Sequence, residues 1–208
     1  MDPRNYSKSD NLKDGTAVTV RSIRAEDSNS VLEAFKGMDK ESVYRRFFSP
    51  KKELSPAELE QLTDVDFSKV VALVVTRPSP KGELLIGGGR YAVEGPGASE
   101  AEIAFMTNGD YRGLGIASLI LKHLVRIARE AGISRFDAEV LAENQPMLAV
   151  FRRSGLPMRI KGDGGIFHVT LSLHAEPESA ALTKTPLRVK ESSRAPSRAP
   201  RVRPRCWQ

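Results

Sequence analysis

The chain has a single cysteine, Cys206, close to its C-terminal end, which excludes a disulfide framework and a cysteine-rich metal site. Its three histidines, His123, His168 and His174, show no metal-ligand spacing, so no metal is expected. Long apolar runs are also missing: nothing approaches the roughly 18 consecutive apolar residues of a helical membrane span. The opening MDPRNYSKSDNLKDG has no hydrophobic segment of the signal-peptide kind. These absences point to a soluble, cytoplasmic protein with no membrane partner.

Two nucleotide-binding patterns are absent as well. The dinucleotide fingerprint G-x-G-x-x-G fails at its third glycine, where Ser118 stands after Gly113 and Gly115. No G-K-[ST] follows any glycine turn, so a nucleoside-triphosphatase loop is excluded. The run Gly87, Gly88, Gly89 interrupts a strand and opens no helix, so it reads as a bulge or a close backbone contact.

What is present in excess is positive charge, but it is confined. From Lys184 to Gln208 eight basic residues face one acid, Glu191, so this tail carries +7 and the remainder of the chain about −1. The tail repeats SRAP at 193 and 197 and is rich in proline and serine, a composition unable to bury enough apolar surface to offset ordering entropy. Residues 176–208 are therefore expected to be a basic disordered tail, with weak nonspecific polyanion binding as its one possible contribution. Residues 1–15 are expected to be a flexible N-terminus, and 16–175 to form one domain.

Within 16–175 the order of elements is mixed. TAVTVRSI reads as a first strand and AEDSNSVLEAF as a helix capped at Asp27 or Ser28. SPAELEQLT is a second helix, with Ser55 at the N-cap, Pro56 at the first turn and Glu58 placed for a capping box. Strands at 70–76, 83–94 and 101–107 are joined by connections too short for crossover helices, so they predict an antiparallel meander. A long helix follows, with Ile116, Ile120, Leu124, Ile127 and Ala131 on one face and Gly132 as its stop. The next strand, RFDAEVL at 135–141, can then run parallel to AEIAFMT. A short helix at about 146–154 and a last strand, GIFHVTLSL, close an α/β fold with one central βαβ crossover.

The crossover opens on DYRGLGIA. A helix N-terminus carries backbone N–H groups without intrahelical partners and a partial positive charge, and glycines let successive N–H groups converge on one anion. The N–H groups of Gly113 to Ala117 suit an anion in this way, with Arg112 at the rim; a tight strand-to-helix turn accounts for the same glycines.

FMTNGDYRGLGIASLIL resembles the signature segment of the GNAT superfamily of N-acetyltransferases, Q/R-x-x-G-x-G/A, with Arg112, Gly115 and Ala117 in its three places. ENQPMLAVFRRSGL resembles the superfamily's second motif, at Asn144 and Gly155-Leu156. The resemblance runs from about Val18 to Leu173. It implies a mixed, mostly antiparallel GNAT-like sheet with two splayed strands, and acetyl-CoA as cosubstrate. Its pyrophosphate would lie on Arg112, Gly113, Leu114, Gly115, Ile116 and Ala117, and its pantetheine arm along Phe105, Met106 and Thr107. Asn144 would bond near the arm or cap the following helix.

Further implications follow from the same likeness. Glu102 resembles the strand glutamate that deprotonates the acceptor amine; an exposed strand glutamate is the plainer reading. Glu100, Glu139, His123 and His168 are poorer candidates. Many members carry a tyrosine acid where this chain has Phe151, which leaves water, Tyr91, Tyr111 or an unassisted departure. The stretch with Arg46-Phe47-Phe48 and Asp66-Phe67 resembles that of bacterial protein lysine acetyltransferases. The implied function is direct transfer of acetyl to a protein lysine in a ternary complex. The alternatives are a small-molecule amine acceptor and an acyl-CoA-binding regulatory module with little turnover.

Overall fold

The computed structural model describes residues 2–39, 41, 43–44, 51–80, 82–95 and 97–174. Arg46, Phe47 and Phe48, and residues 176–208 with Cys206, lie outside the described residues.

Among the described residues eight strands form one sheet: β1 Ser7–Asn11, β2 Ala17–Ser22, β3 Val70–Ser79, β4 Gly82–Ala92, β5 Glu100–Thr107, β6 Arg135–Leu141, β7 Met158–Asp163 and β8 Ile166–Ser172. Their spatial order is β1-β2-β3-β4-β5-β6-β8-β7. Every pair is antiparallel except β5 with β6, which the helix at 116–130 joins as a crossover; the short β3–β4 and β4–β5 connections require antiparallel pairing. The helices whose bounds are set by described residues are α1 Ser28–Lys36, α2 Pro56–Thr63, α3 Ile116–Glu130 and α4 Gln145–Arg153. The expected meander and crossover are both present, so the mixed, mostly antiparallel fold read from the sequence holds.

Period-two alternation splits the strands between two cores. Val71, Leu73 and Val75 of β3 and Ala101 and Ile103 of β5 join α3 and α4 in the larger cluster. Ala72, Val74, Leu85 and Met106 face the other way and pack with Val31, Phe35 and Leu62 of α1 and α2. The buried part of α3 is wider than the single stripe expected, because Leu119, Leu121, Val125 and Ala128 are covered too; Ala131 lies outside it, exposed.

The glycine run is explained by both features that its position in a strand suggested. The β3–β4 register slips between Val75 and Thr76, whose partners are Gly87 and Leu85, so Ile86 is the extra residue of a bulge. A methyl group on Gly87 would come within 2.6 Å of Ile116 Cγ2, and one on Gly89 within 2.7 Å of Ile120 Cγ2. The absent side chains let α3 settle directly on β4.

Two expectations are corrected. Residues 1–15 are not a flexible lead-in: β1 pairs with β2 from Ser7↔Arg21 to Asn11↔Ala17, and Tyr6 and Leu12 are 4% and 6% exposed in the larger core. Asp27 stands at the N-cap position of α1 but gives the helix no side-chain bond. Its carboxylate takes both ends of the buried Arg21 guanidinium, at 2.8 Å each, while Glu83 takes the same guanidinium from β4. Ser55, by contrast, makes the capping box with Glu58 as read.

The N-terminal strand brings an unforeseen partner to His123. The Tyr6 hydroxyl shares a hydrogen bond with His123 Nδ1, and Asp10 Oδ2 lies 3.6 Å from Nε2. Burial, helped by the Lys122 charge and opposed by Asp10, holds the imidazole below its ordinary value of 6.5. An unfolded chain therefore binds a proton near that value that the folded chain refuses. This contribution to stability is complete above about pH 6.5 and is lost as pH falls below it. Thermal melting should be flat from pH 8 to 7 and decline below 6.5, ahead of the carboxylate region. His123→Gln, which cannot take the proton, should flatten that decline; an unchanged slope would remove His123 as its source.

Candidate active site

The sheet opens between β5 and β6. These strands pair only at Glu100↔Arg135, Ala101↔Phe136 and Glu102↔Asp137, and beyond Glu102 they diverge. The Asn108 N–H bonds Ile86 O across β4, and Ser99 O accepts from Arg135 on the β6 side. Alternation along β5 then turns the backbone groups of Ile103, Phe105 and Thr107 away from β4 and into the opening. An extended, amide-bearing ligand can pair with such an edge as an added strand.

The turn from β5 to α3 ends the opening. A short 3-10 turn at Gly109–Tyr111 leads into Gly113 and Gly115, whose φ angles of 78° and 94° lie in the left-handed region that glycine adopts without penalty. The first helical bond runs from Leu119 N–H to Gly115 O. The N–H groups of Ile116, Ala117 and Ser118 are therefore without partners four residues back and point out of the helix start. The turn thus has the donors that a pyrophosphate needs, and the β5 edge those that a pantetheine amide needs. The side chain of Ile116 is core, so it can offer only its N–H; Leu114 packs partly on the same core. Arg112 is exposed at the rim and ion-pairs with Asp39, which follows α1.

Asn144 caps α4, its Oδ1 accepting the Met147 N–H at 3.3 Å. Phe151 of α4 is fully buried, its ring 6.1 Å from that of Phe105. Of the two tyrosines considered as acids, Tyr91 is 2% exposed against Phe136, and desolvation pushes its hydroxyl up to about 12. Tyr111 has Arg77 on its hydroxyl at 3.3 Å and over its ring.

Glu102 stands at the closed end of the opening, half-buried, on the face shared with Ala104 and Met106. That face carries a pocket with a cavity volume of about 40 Å³, whose walls include Phe35, Leu62, Val74, Gly88, Arg90 and Ala104. Arg90 lies opposite Ala104 in the β4–β5 register and is 7% exposed. The other acids are engaged elsewhere: Glu100 with Arg135, and Glu139 with His168 at 3.7 Å. Among the described residues no group of three or more His, Cys, Asp or Glu side chains could hold a metal ion. No helix among them is long and apolar enough to cross a membrane.

Asp66-Phe67 proves to be a turn. Asp66 Oδ1 accepts the N–H groups of Ser68, Lys69 and Val70, Phe67 takes φ 56°, and Arg4 lies over its ring at 5.5 Å. Arg90, Gly88 and Ala104 went unnoticed in the sequence as pocket residues, although stepping by two from Glu102 already placed Ala104 and Met106 on its face.

Known proteins are similar to this chain in sequence and in fold. The family model described as acetyltransferase (GNAT) family matches residues 41–156. Acetyltransferase PA5475 of Pseudomonas aeruginosa is 32% identical over 142 residues, 66% of this chain and 74% of that protein. Acetyltransferase Pat of Mycolicibacterium smegmatis is 38% identical over 117 residues, 55% of this chain, and the chain spans only 34% of its length. The crystal structure of the GNAT domain of S. lividans PAT superposes with a TM-score of 0.72 at 32% identity, over 80% of this chain and 96% of that one. The chain belongs to the GNAT acetyltransferase family, and acetyl-CoA is its cosubstrate.

Proposed function

We propose that this chain transfers an acetyl group to the side-chain amine of a protein lysine, by direct transfer with both substrates bound. The observation that carries the reading is the position of Glu102, where the β5–β6 opening closes and on the face that bears the pocket. The pocket is walled by Phe35, Leu62 and Val74, so it suits the methylene stem of a lysine, whose apolar length can be buried while its amine reaches inward. Identity to Acetyltransferase Pat and likeness to the S. lividans PAT domain support a protein acceptor.

Acetyl-CoA supplies the activated acetyl group as a thioester. In this reading the N–H groups from Gly113 to Ala117, with Arg112, hold its pyrophosphate; Phe105, Met106 and Thr107 line the arm, with Asn144 near it. At pH 7 only roughly four in ten thousand lysine amines are neutral. Glu102 takes the proton from the acceptor amine, directly or through a water, and so supplies the nucleophile. Charge developing on the carbonyl oxygen meets β5 backbone N–H groups that face the opening. Phe151 cannot donate a proton, Tyr91 is sealed in the core, and Tyr111 holds Arg77. Tyr111, whose hydroxyl accepts from Arg77 and keeps its own proton, is the one of these three residues able to act as an acid; without it the thiolate departs unassisted, which a thiol of ordinary pKa about 8.5 tolerates.

Thiol release from acetyl-CoA with a panel of proteins, lysine peptides and small amines tests the reading. Proteins with accessible lysines should be the best acceptors. Turnover confined to small amines would move the acceptor class, and binding of acetyl-CoA without turnover on any of them would make the chain a regulatory module.

A further inference from the structure

We infer that Lys13, on the β1–β2 hairpin, is a phosphate-binding residue of the acetyl-CoA site; the inference rests on the reading of the Gly113–Ala117 turn as the pyrophosphate site. The hairpin lies outside the stretch matched by the family model, residues 41–156.

The ladder between β1 and β2 ends at Asn11↔Ala17. The connection is closed by Leu12 N–H to Thr16 O at 2.9 Å and Gly15 N–H to Leu12 O at 3.0 Å, with Gly15 at φ 85°. Leu12 is anchored in the main core, so the tip has a fixed direction. That direction is toward the glycine turn: the Lys13 N–H donates to Leu114 O at 3.1 Å.

The Lys13 side chain follows the same path. A methyl group built on Gly115 would lie 3.2 Å from Lys13 Cγ and Cε and 3.5 Å from Cδ, so the lysine stem runs along the turn, against Gly115. Lys13 itself is exposed, and its ammonium, one bond beyond Cε, is delivered beside the start of α3, where the N–H groups of Ile116 to Ser118 have no helical partners. Asp14 accepts the Thr16 N–H within the hairpin, and Asp39 pairs with Arg112. Arg77, on the Tyr111 hydroxyl, adds a second positive charge behind the turn. A lysine held by its backbone at a glycine turn, with its stem packed and its charge at the rim, suits an anion arriving at that turn.

The test compares the full chain with Lys13→Met, which keeps an apolar stem, and Lys13→Arg, which keeps the charge. Binding of acetyl-CoA, 3′-dephospho-acetyl-CoA and acetyl-pantetheine is measured by calorimetry at low and moderate salt. Lys13→Met should weaken the first two by about tenfold at low salt, as loss of a charge-assisted bond implies, and leave acetyl-pantetheine and the melting temperature unchanged. Its salt dependence should be shallower than the parent's, and Lys13→Arg should recover most of the affinity. Parent-like binding of acetyl-CoA by Lys13→Met would overturn the inference. So would a loss shared equally by acetyl-pantetheine, or one confined to acetyl-CoA and absent from the dephospho form. A parent that binds all three ligands alike would instead show that the turn holds no pyrophosphate, a result distinct from a silent Lys13.

Discussion

Gly115→Val should abolish measurable acetyl-CoA binding while most of the fold survives. Valine is placed at φ 94°, where a β-branched side chain is strained, and its Cβ would press on the Lys13 stem at 3.2 Å. The turn must then re-form with its N–H groups aimed differently. Losing two charge-assisted bonds to a pyrophosphate corresponds to an affinity drop of about 10² to 10⁴. Calorimetric titration measures it. Gly113→Ala separates strain from blockage, since a methyl group there meets nothing within 4 Å; it should fold and lose less affinity. A Gly115→Val protein that bound acetyl-CoA like the parent would reduce the turn to a strand-to-helix connection.

The second large effect belongs to Glu102. Glu102→Gln keeps the side chain's shape at the closed end of the opening but cannot accept a proton, so the rate should fall by about 10² to 10⁴. Acetyl-CoA affinity should stay within about twofold, because none of the phosphate contacts assigned above involves this residue. The deficit should narrow as pH rises toward the amine's own pKa of about 10.4, where the acceptor needs no base. Initial rates across pH for both proteins decide the matter, and a parallel offset at every pH would assign Glu102 to positioning rather than proton removal.

How much of this was legible depended on whether the signal was local. The capping box at Ser55 and Glu58, the meander of 70–107 and the parallel pairing of β5 with β6 each rest on a short stretch of chain, and each is found. The edge strands β1 and β7 were missed because their burial barely alternates: almost every residue in both is exposed, so no period-two pattern marks them. Asp14-Gly15 between β1 and β2 and Asp163-Gly164 ahead of β8 were the available hairpin cues. Asp27 looked like a cap because its competitor, Arg21, acts through a folded pair that spacing cannot reveal. The Tyr6–His123 bond and the contact of Lys13 with Gly115 join residues more than a hundred positions apart, and only the hairpin's placement on α3 brings them together.

The most direct measurement is a crystal structure of the chain with a bisubstrate analogue, coenzyme A joined through an acetyl bridge to the lysine amine of a peptide. The pyrophosphate should lie on the N–H groups of Gly113 to Ala117 beside Lys13, and the arm should pair with Phe105 and Thr107 in the β5–β6 opening. The lysine stem should enter through the pocket beside Arg90, with its nitrogen within reach of Glu102 directly or through one water. A lysine approaching from the α3 face, or an arm bound outside the β5–β6 opening, would contradict the account.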